Sequence, residues 1–201
     1  MAVHPPQDLE QHLKILYHTY RHTPDIDAKS LFFSPTCLQI CRPTPSYSAT
    51  SRSQIVRHLK DAQAGKVPLT QSTASDSPAS LSKDEIVAAD TGRYTIRPLR
   101  SSEHSFGDGV ATAAVGLTPA DLQAIAEAQG WIGMRVDLWD ERSGDTLLVK
   151  VQYWWRLEAA GHETDLGEEG DGKVWRQCLH DIMYLGPRDS TEGEMGLEIM
   201  R

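Results

Sequence analysis

The sequence has little cysteine, no long hydrophobic run and, at its start, no pattern typical of a secretion signal. Its three cysteines, Cys37, Cys41 and Cys178, are an odd number without a CxxC pair, which argues against a disulfide framework. The apolar stretches are too short to cross a bilayer, and no basic segment followed by an apolar core opens the chain. We therefore expect a cytoplasmic protein that does not enter membranes.

Positive charge is scarce as well. The chain has 20 lysines and arginines against 28 aspartates and glutamates, a net charge of -8, and its basic residues form no run or stripe. Proteins that bind nucleic acids need a basic patch that meets the phosphates. The composition therefore excludes a nucleic acid as an expected partner.

Motifs for metals, cofactors and nucleophilic catalysis are missing too. A metal site needs three or four converging ligands, whereas His4, His12, His18 and His22 lie on one predicted surface helix and at its ends. The chain has no GxSxG motif, no GxGxxG motif and no phosphate-binding GKS or GKT. We expect neither a metal nor a cofactor.

The first third of the chain has the pattern of helices. Leucines and tyrosines recur from Gln7 to His22 at the spacing of one buried helix face, and Pro24 ends the pattern. A short helix over Asp27 to Phe33, a strand over Thr36 to Arg42 and a helix over Ser51 to Gln63 follow.

The middle of the chain changes composition. Residues 66–82 are rich in Ser, Thr, Ala, Asp and Pro, which predicts a flexible insertion within a single domain that spans residues 1–201. Gly92 to Leu99 alternates like a strand, and Thr118 is placed to cap a helix that runs to about Gln129.

Three strongly patterned strands fill the last third: Trp131 to Glu141, Thr146 to Glu158 and Lys173 to Gly186. They contain all five tryptophans. The four-residue turn 142–145 sets the register of the first two strands. On one face it pairs Ile132–Trp155, Met134–Tyr153, Val136–Val151, Leu138–Val149 and Asp140–Leu147. On the other face it pairs Arg135–Gln152, Asp137–Lys150 and Trp139–Leu148.

The first of these faces is almost wholly apolar and belongs to the core. The second mixes charges with Trp139 and Trp154, so we expect it to contact solvent or a partner subunit. Exposed tryptophans beside paired charges are typical of interfaces, which favours a homodimer.

This order of elements resembles the nuclear-transport-factor-2-like α+β cone, particularly its SnoaL-like branch, from about Leu9 to Gly186. The resemblance implies a curved antiparallel sheet wrapped on N-terminal helices around an apolar, cone-shaped pocket. It also implies cyclase, dehydratase or isomerase activity, although Tyr20-Arg21 replaces the Tyr-Asp pair of scytalone dehydratase. Trp175 to Gly186 is similar to the closing strand of SnoaL-like cyclases, where Asp181 matches the acid/base carboxylate. His104 and His180 would represent the pocket histidines.

Strand alternation allows only one of His180 and Asp181 to enter the pocket. In one register Val151 lies opposite His180, which then shares the apolar face with Tyr153, Trp155 and Cys178. Asp181 then forms an ion pair outside, with Lys150 or Arg135. In the other register Asp181 enters together with Trp175, Gln177 and Met183. The pattern leaves both registers open.

Two functions are consistent with this pattern. The first is a cofactor-independent lyase, isomerase or cyclase that acts on a hydrophobic carbonyl compound, such as a polyketide or terpenoid intermediate. His180 or Asp181 would be its acid/base and Tyr153 its hydrogen-bond donor. The second is a non-catalytic dimeric module that binds a small molecule or a protein. The residues expected to contact a ligand are Trp155, Tyr17, Tyr20, Met134, Cys178 and His104.

Overall fold

The computed structural model describes residues 6–64, 93–107, 109–139, 147–160, 172–191 and 198–200. The α-helices in these ranges are α1 (Gln7–His22), α2 (Ile26–Lys29), α3 (Arg52–Gln63), α4 (Gly109–Ala113) and α5 (Pro119–Ala128). The strands are β1 (Phe33–Cys41), β2 (Arg93–Pro98), β3 (Ile132–Trp139), β4 (Leu147–Ala159), β5 (Lys173–Pro187) and β6 (Glu198–Met200). The insertion predicted at 66–82 lies outside the described residues.

The helix boundaries follow local capping. Ser51 accepts a hydrogen bond from the backbone N–H of Gln54 and begins α3. At α5, Thr118 accepts from the N–H of Asp121, whose carboxylate accepts the N–H of Thr118 in return. The predicted helix over Asp27 to Phe33 is a single α-helical turn followed by a 3₁₀ helix, Ser30–Phe32.

The strands form one sheet in the order β1-β5-β4-β3-β2-β6. Neighbouring strands are antiparallel except β1 and β5, which are parallel. The α+β class is therefore confirmed, with a sheet that is mixed through its β1 edge.

The predicted pairing of β3 with β4 is confirmed. Ile132 lies opposite Trp155, Met134 opposite Tyr153 and Asp137 opposite Lys150. Asp140 lies outside the described residues, so its predicted pairing with Leu147 has no counterpart here. We call the face of the sheet that carries Ile132 and Trp155 the inner face. Helices α1 and α3 cover it.

The opposite, outer face is covered by the chain itself. Phe106, Leu122 of α5 and Trp131 form a second buried cluster with Trp154. Trp154 is 2% exposed and Trp139 is 6% exposed. The expectation that these tryptophans are exposed was wrong: the segment between β2 and β3 folds back over Trp154, and Trp139 is buried as well. The homodimer stays a prediction, without that argument for it.

No helix in the described ranges combines the length and hydropathy that a membrane span requires. The cytoplasmic location stays a prediction.

Candidate functional site

An irregularity in β5 decides which side chains reach the inner face. Trp154 lies opposite Leu179 and Trp155 lies opposite Gln177, so β5 has one extra residue, Cys178, at this point. Such a bulge interrupts strand alternation. Gln177 and His180, three positions apart, therefore lie on the same face.

His180 is on the inner face, directly opposite Tyr153 of β4. It is 4% exposed, and its Nε2 lies 2.6 Å from Oε1 of Gln177. Neither predicted register is fully correct: His180 enters, as in the first, but it faces Tyr153 instead of Val151 and has Gln177 as its neighbour instead of Cys178.

The rings around His180 form what we call the aromatic cluster, namely Tyr17, Tyr20, Phe33, Tyr153 and His180. Ring centroids are 4.9 Å apart for Tyr153 and His180, 5.0 Å for Phe33 and His180, and 5.1 Å for Tyr17 and Tyr153. Tyr20 is 6.4 Å from Tyr153. Tyr17 and Tyr20 of the cluster lie on one face of the amphipathic α1, as the spacing in the sequence predicted.

Met134 and Trp155 complete this part of the inner face. Met134 pairs with Tyr153 across β3 and β4, and Trp155 pairs with Gln177 across β4 and β5. Both side chains are completely buried.

Burial keeps the titratable members of the aromatic cluster uncharged at neutral pH. It lowers the pKa of His180 to about 3, because the buried imidazolium cannot be hydrated. Burial also raises the pKa of Tyr17, Tyr20 and Tyr153 above the usual tyrosine value. The cluster can therefore donate and accept neutral hydrogen bonds.

Two buried donors on the inner face, one on Gln177 beside His180 and one on Trp155 opposite Gln177, have no partner in the part of the chain that the structure describes. Nε1 of Trp155 and Nε2 of Gln177 have no hydrogen-bond partner among the described residues, although both side chains are fully buried. A buried donor without a partner costs about 1–3 kcal/mol, and native proteins contain few of them. The indole N–H groups of Trp139 and Trp154 also lack a partner among the described residues. What sets Trp155 and Gln177 apart is that they are directly paired on the inner face, where Gln177 contacts His180.

Asp181 lies on the outer face and is completely buried. Its partner is Arg42, whose Nε and Nη2 donate to the two carboxylate oxygens at 2.9 and 2.6 Å. Burial raises the pKa of Asp181, and the hydrogen bonds and charge of Arg42 oppose that shift. The expected outward ion pair is therefore present, but with Arg42 instead of Lys150 or Arg135.

Two expected ligand contacts are also on the outer side. Cys178 packs in the outer cluster with its Sγ 3.3 Å from the carbonyl oxygen of Trp154. The His104 ring lies 5.7 Å from the Trp154 ring, and its Nδ1 lies 2.9 Å from the carbonyl oxygen of Arg100. Their expected place beside His180 was wrong, because the bulge turns Cys178 outward and the covering segment carries His104.

Sequence reasoning missed Phe33 and assigned Gln177 to the wrong register. Phe33 contacts His180 because β1 lies beside β5, a parallel pairing between strands that are distant in the chain. No local pattern signals such a pairing. Within the described ranges no three His, Cys, Asp or Glu side chains converge as they would around a metal ion.

The comparisons with known proteins agree with the fold. No curated protein and no solved structure matches the chain. A family model described as the SnoaL-like domain matches residues 2–201. That match spans nearly the whole sequence, and the chain belongs to the SnoaL-like domain family.

Proposed function

We propose that this protein binds a small hydrophobic carbonyl compound at the aromatic cluster and that His180 moves a proton on it. The reaction class is that of a cofactor-independent lyase, isomerase or cyclase, with a polyketide- or terpenoid-like intermediate as substrate. The observation that carries the proposal is the pair His180 and Tyr153, which lie opposite each other beside two buried donors without partners.

The hydrogen bond to Gln177 supports a role for His180 in proton transfer. An amide oxygen only accepts, so Nε2 of His180 carries the proton and Nδ1 carries the lone pair. A positioned imidazole lone pair is the usual acceptor for a proton from carbon next to a carbonyl group. Gln177 thus holds the tautomer that a general base needs.

The lowered pKa of His180 sets a condition on this chemistry. An imidazole of pKa about 3 is a weak base, so an opposite charge has to appear beside it as it takes the proton. An enolate oxygen formed on the substrate supplies that charge. The N–H groups of Trp155 and Gln177 are the donors available to stabilise the oxyanion.

A second candidate is binding without chemistry. The five side chains of the aromatic cluster are at most 7% exposed, so they fill the inner face at this point themselves. Such close packing favours a non-catalytic module, in which the aromatic cluster belongs to the hydrophobic core or binds a ligand without reacting with it. The two candidates differ in whether a bound ketone loses a proton to His180.

Deuterium exchange separates the two candidates. The full chain is incubated with 2-tetralone or acetophenone in D₂O, and loss of the proton signal next to the carbonyl is followed by NMR. We expect His180→Gln, which lacks the basic nitrogen, to lower the protein-dependent exchange rate about 100-fold. His104→Gln is the matched control on the outer side, with an expected rate close to that of the unmodified protein.

Binding is read separately from the indole N–H resonance of Trp155. A shift of this resonance by a ketone, with exchange no faster than in buffer, would support the non-catalytic candidate. Equal exchange rates for the unmodified protein and His180→Gln would exclude His180 as the base.

A further inference from the structure

The apolar inner face of the sheet continues past the aromatic cluster. Leu157 of β4 lies directly opposite Trp175 of β5, two residues along each strand from the paired Trp155 and Gln177. A step of two residues along a strand returns to the same face and covers about 6.8 Å. Leu157 and Trp175 therefore lie on the inner face, one step beyond the two donors without partners.

The rest of the described chain leaves Leu157 and Trp175 partly open. Leu157 is 39% exposed, and Trp175 packs against the hydrophobic residues of the inner face without being fully buried. Strand β3 begins at Ile132, opposite Trp155, so it does not extend as far as Leu157. Covering two large apolar side chains with a hydrocarbon group would remove them from water, which is favourable.

The donors without partners lie between this open end and His180. Three cross-strand pairs follow one another along the inner face, namely Tyr153–His180, Trp155–Gln177 and Leu157–Trp175. Nε1 of Trp155 and Nε2 of Gln177, in the middle pair, have no partner among the described residues. A carbonyl oxygen that accepts from the middle pair therefore has His180 on one side and Leu157 with Trp175 on the other.

The two sides differ in the room that they offer to a ligand. The side chains of the aromatic cluster around His180 are at most 7% exposed, whereas Leu157 is open to solvent. A ligand thus has space for only a small group toward His180 and for a longer one toward Leu157 and Trp175.

From this order we infer that Leu157 and Trp175 determine substrate specificity and that the substrate is an elongated ketone with one small side, such as a methyl ketone. Its carbonyl oxygen accepts from Trp155 and Gln177, its small group faces His180, and its hydrocarbon extension contacts Leu157 and Trp175. The inference rests on the binding site proposed above and adds the shape and direction of the ligand.

The test compares acetophenone with 4-butylacetophenone, which has the same methyl ketone and a longer hydrocarbon part. Each is titrated into the full chain and followed at the indole N–H resonances. We expect Trp155 to shift with both ketones and Trp175 to shift more strongly with 4-butylacetophenone. Trp154, in the outer cluster, is the internal control and should shift with neither.

The same titrations give the affinities. The dissociation constant of 4-butylacetophenone should be about tenfold lower than that of acetophenone, because its four additional carbons gain apolar contact. Binding is read here without any reaction, so the comparison holds for the catalytic and the non-catalytic candidate alike.

Variants show whether this preference comes from Leu157 and Trp175. Leu157→Ser and Trp175→Ala should each reduce it to about threefold or less, since the extension then loses apolar contact. Leu147→Ser is the matched control: Leu147 is 38% exposed and lies on the same face of β4, about 34 Å away along the strand. It should leave the preference unchanged.

Two results would overturn the inference and leave the proposed function standing. One is a shift of Trp155 by both ketones with equal affinity. The other is a full preference for 4-butylacetophenone in both Leu157→Ser and Trp175→Ala, once their spectra show that they are folded. If neither ketone shifts Trp155, the binding site at the aromatic cluster is itself wrong and the inference fails with it.

Discussion

Arg42 and Asp181 form a two-pronged ion pair on the outer face, although 139 positions separate them in the sequence. The pair ties β1 to β5, and Nη2 of Arg42 also donates to the carbonyl oxygen of Ser105 in the segment that covers this face. Asp181 is therefore enclosed by structure at a position where the family resemblance suggested a catalytic carboxylate.

Removing one partner of this pair should be costly. Asp181→Asn leaves Arg42 without its carboxylate, and we expect a loss of about 2–4 kcal/mol in the free energy of unfolding, slightly below the range for fully buried pairs because Arg42 is partly exposed. The double variant Arg42→Met, Asp181→Leu should lose less unfolding free energy than the single variants Arg42→Met and Asp181→Leu added together. Urea unfolding of all the variants measures this, and simple additivity would show that the two residues do not interact.

Gly107 should tolerate alanine poorly, because its missing side chain makes room for Arg42. A Cβ there would lie 2.9 Å from Cζ of Arg42, and φ is +80°. Gly116 has a similar φ of +72° but open space around it. Both alanines pay about 1–2 kcal/mol for the left-handed backbone.

We therefore expect Gly107→Ala to lower the free energy of unfolding by about 1 kcal/mol more than Gly116→Ala. The excess should disappear in an Arg42→Ala background. Equal losses for the two glycine variants would mean that Arg42 moves aside freely.

His180 should make the protein less stable as the pH falls. Its folded-state pKa is about 3 and its unfolded value is 6.5, so between these values the unfolded chain binds a proton that the folded chain does not. Its contribution is constant above about pH 6.5, and stability falls by up to about 1.4 kcal/mol per pH unit below that.

The difference in unfolding free energy between the unmodified protein and His180→Gln, measured from pH 7.5 to 4.5, isolates this effect from other groups. The ionisation of Glu103 changes the stability at lower pH. Burial by itself would raise its pKa, but hydrogen bonds from Arg97 and from the N–H of Arg100 bring it to about 2. A difference that does not change with pH would show that His180 is hydrated in the folded protein.

Trp154 should behave as a core residue. It is 2% exposed and packs against Phe106 and Trp131, whose ring centroids lie 4.8 and 6.5 Å away. We expect Trp154→Ala to cost about 3–5 kcal/mol of unfolding free energy. Leu157→Ala, a partly exposed position on the same strand, is the control and should cost less than about 1 kcal/mol.

Trp154 is already buried within a single chain. A homodimer interface on the face around Trp154 would therefore bury no further surface of this side chain. Measuring the molecular mass of the unmodified protein and of Trp154→Phe at high concentration tests the separate prediction of a dimer. A strictly monomeric mass would contradict it.

Several features could be predicted because they depend on neighbouring residues. The spacing in Gln7–His22 specifies the buried face of α1, and the Thr118-Pro119 cap specifies where α5 begins. The register of β3 and β4 was predicted from the turn residues and the matched alternation in the sequence, and the pair Met134 and Tyr153 confirms it. For the candidate site, this placed Tyr17 and Tyr20 on the buried face of α1 and Met134, Tyr153 and Trp155 on one face of the sheet.

Other features depend on contacts between distant segments. The choice between His180 and Asp181 rests on the register of β5 against β4, which shifts by one residue at Cys178 and again at Met183, and alternation carries no signal for an extra residue. The covering of Trp154 by Phe106 and Trp131 depends on how the segment between β2 and β3 folds back. By itself the sequence determined most of the elements, though not α4 or β6, and it determined their amphipathic faces and the family, because these come from local spacing and element order. Only the tertiary structure decided that His180 faces inward, that Arg42 pairs with Asp181 and that both faces of the sheet are covered, because these depend on which distant segments meet.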